Sequence, residues 1–524
     1  MTTTPTARAI IDLDVTGDRI SRHIYGHFAE HLGRCIYDGF WVGEDSEIPN
    51  VRGIRRDIVD ALRALEIPNL RWPGGCFADT YHWRDGIGPR DQRPRIANTN
   101  WGDVVENNHF GTHEFMDLCD LLGADAYVNG NVGSGTVQEM SEWVEYLTRG
   151  DDSPMARLRR QNGRDEPWKV PFWGLGNEAW GCGGNLSAAH YAEEARRYAT
   201  FAHDHGGNRL TRIAAGANED DLDWTRVLMK TLMECHGCTL YGNLPYQAIS
   251  FHYYTHSGSG INTEDARPFT DAQYYETLAY AAGIERVVRG HVAVMDSYDP
   301  GNRVSLVCDE WGTWWNVEEG TNPGFLFQQN TVRDALVAGL HFDVFHRYAR
   351  RLSMANIAQT VNVLQAMVLT DGDRLVLTPT YHVFEMNRRH QDALQVHTHL
   401  RDVPTVRARG EDLPLISMSA STRGDTALIS VSHLGLEAGC EVRIDLRGRD
   451  ARVARARVLT GEDPSAHNDA DAPDRVTPRP LAAAVHGGVL TMTMPPHAFA
   501  TIELDLEPDS VTPGTAVRRD EVSR

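Results

Sequence analysis

Apolar residues along this chain follow two rhythms, and the change falls near residue 385. Before it, short apolar runs recur at His23–Phe28, Ile67–Trp72, Ala126–Asn131, Val170–Gly176, Arg212–Ala217, Ala248–Tyr254, Val304–Glu310 and Ala355–Val361. Their length suits strands buried on both faces. Between them lie longer stretches with apolar positions at helical spacing, such as Gly53–Leu65 (Ile54, Ile58, Leu62, Leu65), His113–Leu122, Ala188–His203, Tyr274–Val288 and Thr331–Arg351. Eight such alternations predict a (β/α)8 TIM barrel with long loops over residues 20–385. A doubly wound sheet also alternates, but is not expected to place polar functional residues after so many of its strands.

Beyond 385 the runs Leu415–Ala420, Thr426–Ser432, Glu441–Leu446, Ala451–Leu459, Val489–Met494 and Ala498–Leu506 are short, often alternating, and separated by Gly, Pro and Asp. This predicts an all-β, jelly-roll-like sandwich over 386–507. Ala9–Val15, within the first 19 residues, reads as a strand that precedes the barrel and is expected to join that sandwich. The polar tail 508–524 is expected to be disordered.

A length of 524 residues exceeds one compact core and agrees with two domains. The formal charge of −21 argues against nucleic acid as a partner, because phosphate binding needs basic patches. It otherwise reads as solubility. No apolar leader and no run approaching the ~18 residues of a membrane span are visible, so a cytoplasmic location without a membrane partner is expected. Eight scattered cysteines are sparse for this length and predict reduced thiols, not a disulfide framework. Cys235-His-Gly-Cys238 is the one C-x-x-C motif, and without a second ligand pair it predicts no metal site. No cofactor is expected.

The strand ends collect the chemistry. In chain order they offer Glu30-His31, Arg71 to Cys76, Asn129-Gly-Asn131, Asn177-Glu178, Asn218, His252 to Tyr254, Asp309-Glu310 and Gln359 to Asn362. A single strand-end Asn often only caps a loop. The whole set is harder to explain that way, since carboxylates converging on one rim repel each other and usually persist where function needs them. Glu178 and Glu310 each close an apolar run and are followed by tryptophan. One acid to protonate a leaving oxygen and one carboxylate to attack an anomeric carbon are what glycoside hydrolysis needs. Which is which is open at this level. His23, His27 and His31 read as structural, and at least one of Trp311, Trp314 and Trp315 is expected to line the pocket.

Asn177-Glu178 after the fourth run and Glu310 after the seventh resemble the clan of retaining barrel glycosidases with acids on strands four and seven. More narrowly, the chain resembles the α-L-arabinofuranosidases of glycoside hydrolase family 51. The resemblance is near full length and carried by Ile24 to Arg34, Arg71 to Gly75, Tyr81 to Pro89, Gly176 to Glu178, Ser250 to Tyr254, Asp309 to Trp311, Ala358 to Val363 and Ala466 to Asn468. It implies Glu178 as acid/base and Glu310 as nucleophile. It further implies that Glu30 binds furanose hydroxyls, Asn177 the 2-hydroxyl, and Gln359 the sugar. Tyr254 is placed beside the nucleophile, His252 in support and Trp101 at the pocket wall. Cys76 replaces an Asn that many members carry, and Cys is a weaker hydrogen-bonding group. Cys182 follows closely on the acid/base, so the two cysteines can be neighbours; a reactive active-site thiol is expected ahead of a disulfide, which a reducing cytosol disfavours. Asp309 reads as a supporting acid or a plain structural one. The resemblance also implies a homo-oligomer, a hexamer by family analogy.

The implied function is removal of terminal α-L-arabinofuranosyl groups from short arabinoxylan or arabinan fragments. Another retaining glycosidase, such as an endo-β-glucanase or β-xylosidase, rests on the same acids. A non-catalytic carbohydrate-binding barrel requires loss of one acid, and a metal-dependent hydrolase requires a His/Asp cluster; the chain has both acids and no convincing cluster.

Overall fold

The computed structural model describes residues 5–237 and 243–507. Cys238 and the 508–524 tail lie outside the described residues. Eight parallel strands close into a barrel: Gly26–Phe28, Asn69–Trp72, Asp125–Gly130, Phe172–Leu175, Thr211–Asn218, Ala248–Thr255, Ser305–Thr313 and Leu352–Ile357. The first pairs with both the second and the eighth, which completes the ring. Each apolar run therefore contributes one barrel strand. The His23 run begins as a 3-10 turn, Arg22–Tyr25, and becomes strand only at Gly26. The eighth strand starts earlier than its apolar run and ends at Ile357, so Gln359 lies just past it.

Helices cover the barrel. Ser187 caps Ala188–Phe201 by accepting from the His190 amide, and Thr136 caps Val137–Thr148 in the same way. The Tyr274–Val288 pattern resolves into two helices, Asp271–Ala282 and Ile284–Tyr298, meeting at Gly283. Helix Val332–Arg347 is buried from Val332 to His346, between barrel and sheet.

A second, ten-stranded sheet follows the barrel in sequence. Strand Thr6–Arg19 lies inside it, antiparallel to Leu394–Arg401 and parallel to Cys440–Arg447. Strands Ala451–Leu459 and Ala483–His486, far apart in the pairing order, approach each other, so the sheet rolls around a core of its own that includes Ile11, Ile429, Val442, Leu490 and Ile502. Among the described residues no helix is long and apolar enough to cross a membrane.

Barrel closure leaves no space at Gly216 in the fifth strand. A Cβ there would lie 1.5 Å from the carbonyl oxygen of Ser250 on the sixth. Gly216→Ala should therefore lower stability by at least ~1–3 kcal/mol, the usual cost of overpacking, read as a drop in the thermal midpoint; an unchanged midpoint would contradict this packing.

Candidate active site

The C-terminal ends of the strands bring most of the nominated residues to one cluster. Along the sixth and seventh strands Ser250 stands beside Val307 but His252 beside Glu310, so the seventh strand carries one extra residue between these pairs. Successive side chains of a regular strand point to opposite faces; a bulge lifts that rule. Asp309 and Glu310 consequently both reach His252: Nε2 lies 3.1 Å from Asp309 Oδ1 and Nδ1 lies 3.4 Å from Glu310 Oε2. The same Nδ1 is 2.8 Å from Glu178 Oε1.

Glu310 is held by donors on both oxygens. Arg71 Nη1 donates to Oε1 at 2.9 Å and the Tyr254 hydroxyl to Oε2 at 2.8 Å. Arg71 also donates to Asn177 Oδ1 at 2.6 Å and to the Asp309 carbonyl at 3.1 Å, and its guanidinium lies 4.6 Å from the centre of the Phe28 ring. Tyr127 donates to Asp309 Oδ2 at 2.7 Å. Glu178 sits in a turn with φ +38°, a conformation costly for a residue with a side chain. Its side chain is 18% exposed against 7% for Glu310. One carboxylate oxygen of each glutamate, together with a ring nitrogen of His252, falls in a group whose atoms all lie within 4.8 Å of one another.

Burial works against charge throughout this cluster, and the partners decide the outcome. Burial disfavours the His252 cation, but Glu310, then Asp309 and Glu178, raise its pKa to about 10, so both ring nitrogens donate near neutrality. Burial also opposes ionisation of Asp309, yet the Arg71 charge and the His252 hydrogen bond hold it well below the usual carboxylate range. Burial pushes Glu310 upward, against the opposing pull of His252 and Arg71.

Beside this pair, Glu30 Oε1 accepts from the Gly75 and Phe77 amides at 2.9 and 3.1 Å and from Trp101 Nε1 at 2.9 Å, and Oε2 accepts from Gln359 Nε2 at 2.7 Å. Burial, and secondarily Glu310, lift the Glu30 carboxyl to about 7. Trp314 meets Tyr254 edge-on at 4.9 Å, whereas Trp311 and Trp315 belong to the core. Glu178, His252 and Glu310 are close enough to surround a cation, but Arg71, Tyr254 and the imidazolium already engage their oxygens.

Cys76 and Cys182 correct the expectation of reduced thiols. They form a disulfide across 106 residues, with Cα atoms 5.5 Å apart, inside the range a disulfide spans. Composition addresses the redox pool of a compartment, while this pairing follows from two rim loops meeting beside Glu178, whose Oε2 lies 3.9 Å from one sulfur and 3.5 Å from the other. Tyr127 and Asp79 were not among the nominated residues, and Arg71, though counted among the strand ends, was given no role. Arg71 had a readable signal: an arginine inside an apolar strand run is rarely buried without carboxylate partners.

Two family descriptions match the chain: an α-L-arabinofuranosidase 1 domain over residues 61–257 and an α-L-arabinofuranosidase C-terminal domain over 309–498. An intracellular exo-α-L-arabinofuranosidase of Bacteroides ovatus is 46% identical over 95% of both chains. This chain belongs to the α-L-arabinofuranosidases of glycoside hydrolase family 51. The solved family 51 arabinofuranosidase of Xanthomonas axonopodis pv. citri superposes with a TM-score of 0.92 at 43% identity, covering 95% of this chain and all of that one. The Thermotoga maritima α-L-arabinofuranosidase, solved as an arabinose complex, gives 0.83 at 30% identity, covering 96% and 100%. The candidate site of this arabinofuranosidase lies on the strand ends where the barrel architecture places chemistry.

Alkylation after unfolding without reductant should spare Cys76 and Cys182 and label Cys35, Cys119, Cys308 and Cys440; peptide masses showing the first two labelled would disprove the bridge. His252 gives a pH signature. Its folded pKa exceeds the unfolded value, so its contribution is complete below about 6.5 and is lost as pH rises through about 10. The stability advantage of the native chain over His252→Gln should shrink between pH 7 and 10, by at most about 1.4 kcal/mol per pH unit, measured by denaturant titration.

Proposed function

We propose that this enzyme removes terminal, non-reducing α-L-arabinofuranosyl groups from short arabinoxylan or arabinan fragments by retaining double displacement. Glu310 attacks the anomeric carbon and Glu178 serves as acid, then base. The observation that carries the reading is the closeness of the two carboxylates. His252 Nδ1 touches an oxygen of each, at 2.8 Å on Glu178 and 3.4 Å on Glu310, a convergence that suits the close-set acids of retaining enzymes, whose carboxyl groups stand ~5–5.5 Å apart.

The two environments divide the roles. Glu310 is buried with N–H and O–H donors on both oxygens, an arrangement that stabilises a carboxylate poised to attack. Glu178 is the more exposed, which gives it access to the leaving oxygen and afterwards to water. In the first step Glu178 protonates the departing oxygen while Glu310 forms an ester to C1. In the second, Glu178 takes a proton from water, which displaces Glu310 with net retention. Glu30 and Gln359, coupled to each other, would bind furanose hydroxyls, and Asn177, fixed by Arg71, the 2-hydroxyl. Tyr254 orients the nucleophile, His252 bridges both acids, and Trp101 forms wall with the Cys76 bridge beside it.

The loop after the seventh strand meets the loop that carries Trp101: Asn322 donates to the Gly102 carbonyl at 3.1 Å, and Phe325 packs on Gly102. The Bacteroides relative is named both intracellular and exo-acting, which supports a cytoplasmic enzyme on imported fragments. A homo-oligomer, a hexamer by family analogy, completes the proposal, and light scattering of the purified protein tests it.

A panel of nitrophenyl glycosides should give turnover of the α-L-arabinofuranoside above the β-xyloside and β-glucoside; no turnover of the first would sink the reading. Glu310→Ala should lose ~10⁴-fold or more in kcat, the scale seen for removal of a nucleophile. Azide or formate should restore part of it with an inverted product. Rescue with a retained product would move the nucleophile elsewhere.

A further inference from the structure

The short turn Cys76–Thr80, which follows the second barrel strand, carries a buried carboxylate for which the chemistry above has no use. Asp79 is 3% exposed. Its Oδ1 accepts from the Val132 and Gly133 amides, both at 2.8 Å, and its Oδ2 accepts from the Asn177 amide at 2.8 Å. Its own carbonyl accepts from the Ser134 amide and hydroxyl at 3.0 and 2.8 Å. One side chain thus ties together the loops that follow the second, third and fourth strands. Burial raises its pKa to about 6, opposed by the same three amides.

The next residue after Asn177 is Glu178. The turn beyond it folds back on itself, with the Gly181 and Gly183 amides donating to the Glu178 carbonyl at 2.7 and 3.1 Å. A Cβ on Gly183 would lie 2.8 Å from Asp79 Oδ2 and 1.8 Å from the Asn177 carbonyl, so the turn is pressed against the carboxylate. The Cys76–Cys182 bridge attaches the same two segments a second time.

We propose that Asp79 is a positioning residue: by anchoring the Asn177 amide it holds the strained Glu178 backbone and so aims the acid/base carboxyl at the leaving oxygen. The inference rests on Glu178 being the acid/base. A carboxyl displaced by an ångström fails as a proton donor long before the fold fails, and such misplacement costs about 10²-fold.

The test compares aryl α-L-arabinofuranosides whose phenols leave easily (2,4-dinitrophenol) or poorly (phenol). An easy leaving group needs no proton; a poor one does. Asp79→Asn, with one acceptor oxygen instead of two, should lose about 10²-fold in kcat/KM on the poor substrate and less than ~10-fold on the easy one. Azide, which needs no general base, should accelerate its turnover of the easy substrate. Asp79→Glu keeps the charge but lengthens the arm, and should show the same dependence if Asp79→Asn does not fold. Equal losses on both substrates, or no loss, in a folded variant would overturn the proposal. Glu178→Ala runs in parallel: a leaving-group dependence there but not in the Asp79 variants rejects the positioning role alone, whereas its absence in Glu178→Ala rejects the acid/base assignment and the proposal with it.

Discussion

Everything at the rim depends on one buried cation. Arg71 is 1% exposed and reaches Glu310, Asn177 and the backbone of Asp309 from the second strand, while its guanidinium lies over Phe28. A charge taken out of water is costly unless it is paired and hydrogen-bonded. Here the cost is offset by carboxylates that could not be gathered without it. Arg71 spans the barrel mouth from strand two to strands four and seven, so it also acts as a gauge for the distance between the two glutamates. His252 is the second cation, and its protonated state is a consequence of the acids that surround it.

Much of this was legible in the sequence, for definite reasons. Parallel strands buried on both faces are apolar throughout, which is why eight runs marked eight strands. Glu178 and Glu310 stood out because each interrupts such a run at its C-terminal tip. Boundaries were less legible where apolar residues continue across a change of structure. Leu352–Met354 falls between the helical stretch that ends at Arg351 and the run that begins at Ala355, and is in fact the start of the eighth strand. Gly283 breaks a pattern whose periodicity is continuous on both sides. Strand Leu394–Arg401 went unmarked because five of its eight residues are polar and exposed or half-exposed. At the site, Asp79 lies in a 3-10 turn with no periodic signal, and its partners are backbone amides, which no side-chain pattern reports. The Cys76–Cys182 bridge joins loops 106 residues apart and depends on how those loops fold.

The junction between barrel and sheet is unusual in being polar yet buried. His346 contacts Tyr25 on the barrel side and Ser419 on the sheet side, at 2.8 and 2.9 Å, and Asp343 accepts from Ser417 at 2.6 Å. His390 adds a bond to Ser421 at 2.7 Å. Hydrogen bonds of this kind contribute modest net energy but fix orientation, because leaving any member unpaired in the interior is expensive. They give the junction a defined register that apolar packing alone does not supply. Helix Val332–Arg347 lies with one side on each layer, which explains why no polar face marks it in the sequence.

Strand Thr6–Arg19 has a consequence for how the molecule is made. It precedes the barrel in sequence, yet its two neighbours are Leu394–Arg401 and Cys440–Arg447. On the ribosome it emerges long before either of them and must remain unpaired while the whole barrel is synthesised. Its alternating residues Ala7, Ala9, Ile11 and Leu13 are buried in the finished sheet, and until then they form a free apolar edge. The order of translation and the order of assembly therefore run opposite to each other, and the nascent chain must keep this strand from finding another partner.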